Sequence, residues 1–303
     1  FIHKILMRWT MKNAIIYYYN LKTNEVHQNA NYYWFKVSEK TYYLYKTENN
    51  NIDELLEIVN ILLKNNIRIH MPIYNQQKSL LTNINGINYI LFEIIVNSKE
   101  PIILNDIYEI NKIVIDSKER KKTSWYDLWS EKIDYLELQI SEFGKEYPLL
   151  RKSFPYFCGL AETAIQLLDI IDVKEYRINH RYIKKDEHLE EFLNPLNMTI
   201  DLKTRDLSEY LKTNYNHLTS IDDINYIIKK FNLNNEEIKL LFARTLFPNY
   251  YFNMFEEIIA GDKEEKYINK YIENANGIEY LLKILYSYIK KIVEIPTIDY
   301  LEY

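Results

Sequence analysis

Side chains suited to bind a metal ion or attack a substrate are few and widely spaced in this sequence. Zinc sites draw on cysteine and histidine at short spacings, but there is one cysteine and no His-x-x-x-His pair. The sequence also lacks a glycine-rich phosphate loop, a dinucleotide-binding Gly-x-Gly-x-x-Gly and a Gly-x-Ser-x-Gly elbow. These absences disfavour a zinc framework, a Rossmann enzyme and a serine hydrolase. The six histidines are His3, His27, His70, His180, His188 and His217.

The single cysteine, Cys158, lies in the apolar run FPYFCGL (154–160) and can form no disulfide within the chain. Because free cysteine is usually buried and behaves as a small hydrophobic residue, a structural role is favoured over a reactive thiol. A chain without disulfides fits a reducing compartment.

Length and charge limit the classes of protein further. A chain of 303 residues can form two ordinary domains or one bilobal domain. Its 43 acidic and 38 basic residues give a formal charge of -5, which argues against a nucleic acid partner held by phosphate contacts. No apolar stretch predicts a membrane span, and the first residues lack the pattern of an export signal. We therefore expect cytoplasmic synthesis and no membrane partner.

Glycine is scarce and tyrosine abundant, with 5 and 29 copies respectively. Biased composition, as AT-rich coding would produce, is the simplest explanation of the tyrosines. The alternative is a surface adapted to protein contacts, because tyrosine supplies rigid amphipathic contact area.

The first part of the chain, residues 1–96, has the pattern of a small β-rich domain. Residue 1 is phenylalanine and Met7 and Met11 follow closely, so residues 1–10 are left out of the fold prediction. One helix is predicted over 53–65, where leucines recur at helical spacing after two acidic residues. An Asn85-Gly86 pair predicts a tight hairpin. Runs of β-branched and aromatic residues predict strands at 15–19, 32–37, 41–45, 79–84 and 87–95.

The second part, residues 97–303, is dominated by helical periodicity. Helices are predicted from about 125 to 143, from 156 to 171 and in five later segments. Residues 194–202 form its one strand-like run. A sheet with one helix followed by a helical body predicts an α+β protein with two lobes.

Three strings carry a resemblance to a known family: SFPYFCGLAETAIQL (153–167), RDLSEYL (205–211) and LFARTLFPNYYF (241–252). They resemble signature stretches of YutH-type spore coat proteins, which are kinase-like relatives of the CotS coat proteins of endospore-forming bacteria. The resemblance covers roughly residues 11–303. It implies the bilobal fold of protein kinases and aminoglycoside phosphotransferases, with a small β-rich lobe and a large helical one.

In active enzymes of this fold, a glycine-rich hairpin approaches the nucleotide phosphates, a strand lysine binds them and a helix glutamate orients that lysine. The first hairpins here, residues 14–45, contain no glycine. Lys46 matches the lysine at the end of its strand, and Glu54 or Glu57 matches the glutamate. The alternative is that Lys46 is a solvated surface residue.

The resemblance is weakest in the catalytic loop. The family pattern His-x-Asp-x-x-x-x-Asn, aligned on His180, places Tyr182 at the general base and Glu187 at the metal-binding asparagine. Tyrosine, with a reference pKa near 10, is a poor substitute for a carboxylate base at neutral pH. Asp186 is close in sequence, but its spacing does not match the pattern.

Asp201 follows His180 by 21 residues and ends an apolar strand, where kinase-like folds place a magnesium-binding aspartate. One carboxylate alone is a weak magnesium site, and Asp201 could instead cap the turn that follows. Arg205 and Asp206 match the family's Arg-Asp-Leu string. The resemblance implies that this pair forms a buried ionic latch between the helix and the catalytic loop.

The resemblance favours a catalytically inactive kinase-like component of the spore coat. It would be made in the mother cell, deposited in the coat and associated with other coat proteins, without a metal or a cofactor. The first alternative is an active phosphotransferase that uses ATP and magnesium through Lys46, Asp201 and Asp186. A second is a sensor that binds a nucleotide or sugar without turnover. The sequence leaves the oligomeric state and the coat partners open.

Overall fold

The computed structural model describes residues 10–48, 51–116, 124–168 and 171–302. They form two compact units: one runs to Ile102 and also contains Asp186–Ile200, and the other contains Ile103–Lys185 and the chain from Asp201 onward. The sequence instead predicted a boundary after residue 96 and an unbroken second lobe. Residues 186–200 contact parts of the first unit that lie about 100 positions earlier in the chain. Such distant contacts leave no local signal in the sequence.

The described part of the first unit contains an antiparallel sheet and three helices. The elements are α1 (Met11–Tyr19), β1 (His27–Gln28), β2 (Tyr32–Val37), β3 (Lys40–Lys46), α2 (Ile52–Lys64), β4 (Met71–Ile73), β5 (Thr82–Ile84), β6 (Ile87–Glu93) and α6 (Leu189–Phe192). In the sheet, β1 to β4 and β6 lie in the order β1-β2-β3-β6-β4, and β5 pairs with β6.

The predicted first strand, 15–19, is wrong, because these residues lie in α1. Thr10 caps the helix by accepting from the backbone N–H of Asn13, and Asn20 ends it in the left-handed conformation. The buried side of α1 packs on the sheet. Capping and packing thus override the β propensity of the Ile-Ile-Tyr-Tyr-Tyr run. The expectation of one helix in this lobe is therefore also wrong.

The two faces of the sheet have different neighbours. Phe35 pairs with Tyr42 and Tyr33 with Leu44 across β2 and β3. These side chains share a core with α1. The buried members of this core are Ala14, Ile15, Tyr19, Phe35, Tyr42, Leu44, Ile84, Tyr89 and Leu91. Because side chains alternate along a strand, Tyr43 and Tyr45 point to the other face. The predicted helix α2 and the Asn85-Gly86 hairpin are confirmed, with φ of 53° and 86° at the turn.

The second unit is mostly helical, which confirms the predicted α+β class. The elements are α3 (Leu104–Asn111), α4 (Trp125–Phe143), α5 (Pro148–Leu168), β7 (Tyr176–His180), β8 (Met198–Leu202), α7 (Arg205–Thr213), α8 (Ile221–Lys230), α9 (Asn235–Leu246), α10 (Asn249–Ile259) and α11 (Asn269–Ile289). Strand β7, which was not predicted, pairs with β8, whose last two residues belong to this unit.

Helix α5 begins at residue 148, eight residues before the predicted start at 156. It continues through Pro155, which lies inside the helix. Proline cannot donate to the carbonyl of Arg151. Both residues are exposed, so water can satisfy that carbonyl. Cys158 is buried in this helix, and burial, together with Glu162 and Glu137, raises the pKa of its thiol to about 12. None of the helices in the described part of the chain combines the length and the apolar character of a membrane-spanning segment.

Candidate functional site

His180 ends β7 and is held by Asp206, near the start of α7. The Asp206 carboxylate accepts from the backbone N–H of His180 through Oδ1 at 2.6 Å and lies 2.7 Å from its Nδ1 through Oδ2. Both side chains are almost fully buried. Because a carboxylate only accepts, Nδ1 carries the proton in this contact. The backbone N–H of Asp206 in turn donates to Asn179. These bonds fix the start of the loop after β7.

Asp201, at the predicted magnesium position, is enclosed by two arginines. Arg205 Nη1 donates to its Oδ2 at 2.7 Å, and Arg244 Nη2 donates to its Oδ1 at 3.1 Å. The backbone N–H of Leu202 also donates to Oδ1. Burial by itself would raise the pKa of Asp201, but Arg244 and Arg205 outweigh it and hold the pKa below its usual range.

The residues around Asp201 do not fit a magnesium ion. Magnesium needs oxygen ligands in octahedral geometry, whereas both carboxylate oxygens here face guanidinium donors. Among the described residues, no cluster of three histidine, cysteine or carboxylate ligands includes Asp201. The predicted latch residues therefore lie in two contacts: Asp206 binds His180, and Arg205 binds Asp201 and the carbonyl of Arg181.

Arg244 is the residue of this site that the sequence analysis missed. It lies on α9, where the neighbouring side chains 240–243 and 245–247 are all buried. Its guanidinium carbon lies 4.4 Å from the centroid of the Trp125 ring, a cation–π distance. A charged residue inside an apolar helical run is a signal for a buried partner, since a lone buried charge is costly. The signal was present in the string LFARTLF (241–247).

The general base position is occupied by Tyr182, whose side chain is 50% exposed. The ammonium of Lys184 lies 5.2 Å from its ring centroid. Glu187, at the asparagine position, is buried, and its backbone carbonyl accepts from Ile102. Asp186 is exposed and adopts a left-handed conformation, with φ of 56°. Tyr182 belongs to the second unit and Asp186 to the first.

The structure does not bring Lys46 and Glu57 together in an ion pair. Both are exposed, and Lys46 shares its face of β3 with Tyr42 and Leu44, toward α1. Its ammonium has no hydrogen bond or salt bridge within the described part of the chain. Glu54 accepts from the hydroxyl of Thr199 and the backbone N–H of Ile200, both at 3.0 Å. This carboxylate therefore braces the start of β8.

The two turns of the first hairpins lack glycine, as the sequence requires. In the turn between β2 and β3, Ser38 takes a left-handed conformation with φ of 53°. That conformation is one glycine adopts at no steric cost. The hydroxymethyl side chain of Ser38 thus stands at a turn where a phosphate loop would present bare backbone.

Acid should remove the contribution of Asp201 to stability. Its folded pKa lies below the unfolded value of about 3.9, so its stabilising effect is present above pH 4 and lost as the pH falls through the folded pKa. Urea unfolding from about pH 5 to pH 2 should therefore show a steeper loss of unfolding free energy in the wild type than in Asp201→Asn. The exposed Asp222→Asn should keep the wild-type slope. Parallel curves for wild type and Asp201→Asn would contradict the assignment.

Solved structures with the same fold are phosphotransferases. Spectinomycin phosphotransferase in complex with ADP and spectinomycin is 14% identical, with 93% of this chain and 98% of that chain covered and a TM-score of 0.61. An aminoglycoside phosphotransferase from Alicyclobacillus acidocaldarius is 12% identical, with 94% and 98% covered and a TM-score of 0.64. At such identities the likeness establishes the fold alone, and it confirms the predicted kinase-like architecture.

Two sequence comparisons identify relatives of this chain. The endospore coat-associated protein YutH of Bacillus subtilis (strain 168) is 28% identical over 166 residues, which are 47% of this chain and 48% of that protein. The match thus spans about half the length of the relative. The family described as "Spore coat putative kinase YutH" matches residues 12–283. With most of its length matched and the kinase-like fold in place, the chain belongs to the YutH family of spore coat proteins.

Proposed function

We propose that this family member is catalytically inactive and acts in the spore coat by protein association, in coat structure or assembly. The observation that carries the proposal is the double occupation of Asp201 by Arg205 and Arg244. An active phosphotransferase of this fold needs a carboxylate there that is free to hold magnesium. Tyr182 at the general base position supports the proposal, because a phenol is a poor base at neutral pH.

The proposed partners are other coat proteins, met after synthesis in the mother-cell cytoplasm. Neither nucleic acid, membrane, metal nor nucleotide has a part in the proposal. Exposed tyrosines supply the contact area, since tyrosine gains much from burial at an interface and loses little conformational entropy. Those most exposed in the described part of the chain are Tyr17, Tyr74, Tyr126, Tyr135, Tyr182, Tyr226, Tyr267 and Tyr280.

The alternative function is phosphate transfer with an altered catalytic loop. It would need Lys46 and Asp201 for the nucleotide and Asp186 as the base. Two observations weigh against it. Lys46 is exposed on the face of the sheet that packs on α1, and Asp201 is paired with two arginines. A nucleotide sensor without turnover would need the same two nucleotide contacts.

The first test is the effect of ATP and magnesium on thermal unfolding of the purified full chain. We expect no rise in Tm at millimolar nucleotide, whereas a ligand at 100 times its Kd stabilises the folded state by about 2.7 kcal/mol. Release of phosphate from labelled ATP should stay at the buffer rate. An active aminoglycoside phosphotransferase measured alongside serves as the positive control.

Two results would contradict the proposed function, the first its exclusion of nucleotide and the second its exclusion of catalysis. A rise in Tm without phosphate release would identify a nucleotide sensor. Turnover that disappears in Asp186→Asn or Asp201→Asn would identify an active enzyme. The coat role is tested separately by a fluorescent fusion in sporulating cells, which should collect in the coat; a fusion that stays diffuse in the mother cell would contradict that role.

A further inference from the structure

Helix α4 carries large apolar side chains on its solvent-exposed side. Leu128, Tyr135 and Leu138 are 45%, 49% and 54% exposed. The helix also has an ordinary buried side, which is formed by Trp129, Ile133 and Leu136. That buried set already anchors α4 in the second unit, so the exposed set is not needed to hold the helix in place. Exposed apolar groups that gather on one side of an element mark an interaction surface.

The exposed side chains form a stripe along the helix that advances by alternate steps of three and four residues. We call this set the α4 stripe; its members, all of them exposed, are Leu128, Glu131, Tyr135, Leu138 and Glu142. Side chains at this spacing share one face of a helix. The alternation is also the heptad pattern through which two helices pack side by side. The α4 stripe therefore has the pattern of one half of a helix–helix contact.

The surroundings of the α4 stripe are acidic. Over its 19 residues, α4 contains five carboxylates and a single lysine. That lysine, Lys132, donates to Glu256 and Asn253 on α10, so its charge is already engaged. Glu131 and Glu142 form no ion pair within the described part of the chain. The stripe thus offers apolar contact area beside carboxylates that have no cation of their own.

Charge decides which kind of partner fits this surface. A second copy of the chain would bring its own acidic α4 against the first, and like charges placed across an interface are costly. Nucleic acids and anionic bilayers are also negatively charged, so the same repulsion disfavours them. A helix with lysine or arginine beside its apolar residues meets both requirements of the stripe, because charges that flank a heptad pattern select the partner helix.

We propose that the α4 stripe docks a basic amphipathic helix of a partner protein. The apolar residues of the partner helix cover Leu128, Tyr135 and Leu138, and its lysines or arginines pair with Glu131 and Glu142. This inference rests on the protein association in the proposed function, and it adds the surface and the chemistry of the partner. The tests with ATP and with the fluorescent fusion decide the proposed function without it, so the two can fail separately.

Fluorescence anisotropy of labelled synthetic peptides, titrated with the purified full chain, tests the surface. The probe is a peptide of about three heptads with leucine at the a and d positions and lysine at e and g. One control peptide has the same composition with its leucines off the heptad spacing, and another has glutamate in place of lysine. We expect the probe to bind with an affinity that falls as salt is raised, and both controls to bind about tenfold more weakly or worse.

A leucine variant locates the apolar part of the contact on α4. Leu138→Ser should lose about fivefold or more in affinity for the lysine probe, because it removes apolar area from the centre of the contact. The matched control is Leu63→Ser, at a leucine of the first unit that is 40% exposed. It should bind the probe like the wild type.

A charge reversal tests the acidic part. The double variant Glu131→Lys with Glu142→Lys should lose the lysine probe and bind the glutamate peptide instead, because the pairing charges are exchanged. Glu39→Lys with Glu273→Lys changes the net charge by the same amount at exposed positions outside α4. That control should keep the preference of the wild type for the lysine probe.

The proposal is overturned by no binding of the lysine probe, by equal binding of the probe and either control peptide, by an unchanged affinity in Leu138→Ser, or by a charge-reversed variant that still prefers lysine. Sedimentation of the unliganded chain covers the other occupant: a dimer that Leu138→Ser abolishes would identify a second copy on the stripe and would also overturn it. Circular dichroism checks that the variants fold. If Leu138→Ser does not fold, Leu128→Ser replaces it, and an unchanged affinity there counts equally against the proposal.

Discussion

Replacement of Arg244 by alanine is expected to lower the free energy of unfolding by about 3–5 kcal/mol, the usual cost of removing one partner from a buried ion pair. Asp201 would keep Arg205 and the backbone N–H of Leu202 but lose the guanidinium donor to Oδ1, in an ion pair whose two side chains are 92–94% buried. The substitution also removes the contact with Trp125. Equilibrium unfolding in urea, followed by circular dichroism, measures the change.

Two companion variants make the Arg244 result specific. Arg151→Ala, on the exposed side of α5, should change the unfolding free energy by less than about 0.5 kcal/mol, as is usual for surface positions. Arg244→Lys keeps the charge but cannot reproduce the planar guanidinium, so it should recover only part of the loss. An Arg244→Ala protein as stable as Arg151→Ala would show that Asp201 does not depend on this pair. It would also remove the main support for inactivity.

Asp206→Ala is the second variant with a large expected effect. It removes the carboxylate that accepts from the backbone N–H of His180 and contacts its Nδ1 in a fully buried environment. Each unsatisfied buried donor costs about 1–3 kcal/mol, so we expect a loss of about 2–4 kcal/mol. Urea unfolding again measures the loss.

The matched control for Asp206→Ala is Asp222→Ala, which is exposed in the first turn of α8. Hydrogen exchange at the His180 amide gives a local readout: protection should fall strongly in Asp206→Ala and stay unchanged in the control. A protected His180 amide in Asp206→Ala would mean that another group supplies the acceptor.

The sequence predicted most helices of the second unit because their apolar spacing, caps and lengths agree. It failed where tertiary contacts decide the outcome. The run 15–19 has high β propensity, yet the Thr10 cap and the core that this run shares with the sheet make it helical. The predicted start of α5 at residue 156 is also too late, because the helix continues through Pro155, where both Pro155 and Arg151 are exposed.

The candidate site was predictable in part. His180, Asp201, Arg205 and Asp206 could be placed by motif, and the structure brings them together as two linked contacts in the second unit. Arg244 lies about 40 residues further on and could not be paired with Asp201 from spacing alone. Lys46 could not be placed correctly either, because a single strand does not reveal which face another helix will cover.

The division of the chain also determines when each unit can complete its folding during synthesis. The chain passes between the units after Ile102, Lys185 and Ile200. The ribosome therefore emits all six strands of the sheet well before it emits Glu190 and the other residues that complete the same unit. Until residue 200 has left the exit tunnel, the nascent sheet has an uncovered tyrosine-bearing surface that a chaperone could hold. A fragment ended near residue 102 would retain that uncovered surface permanently.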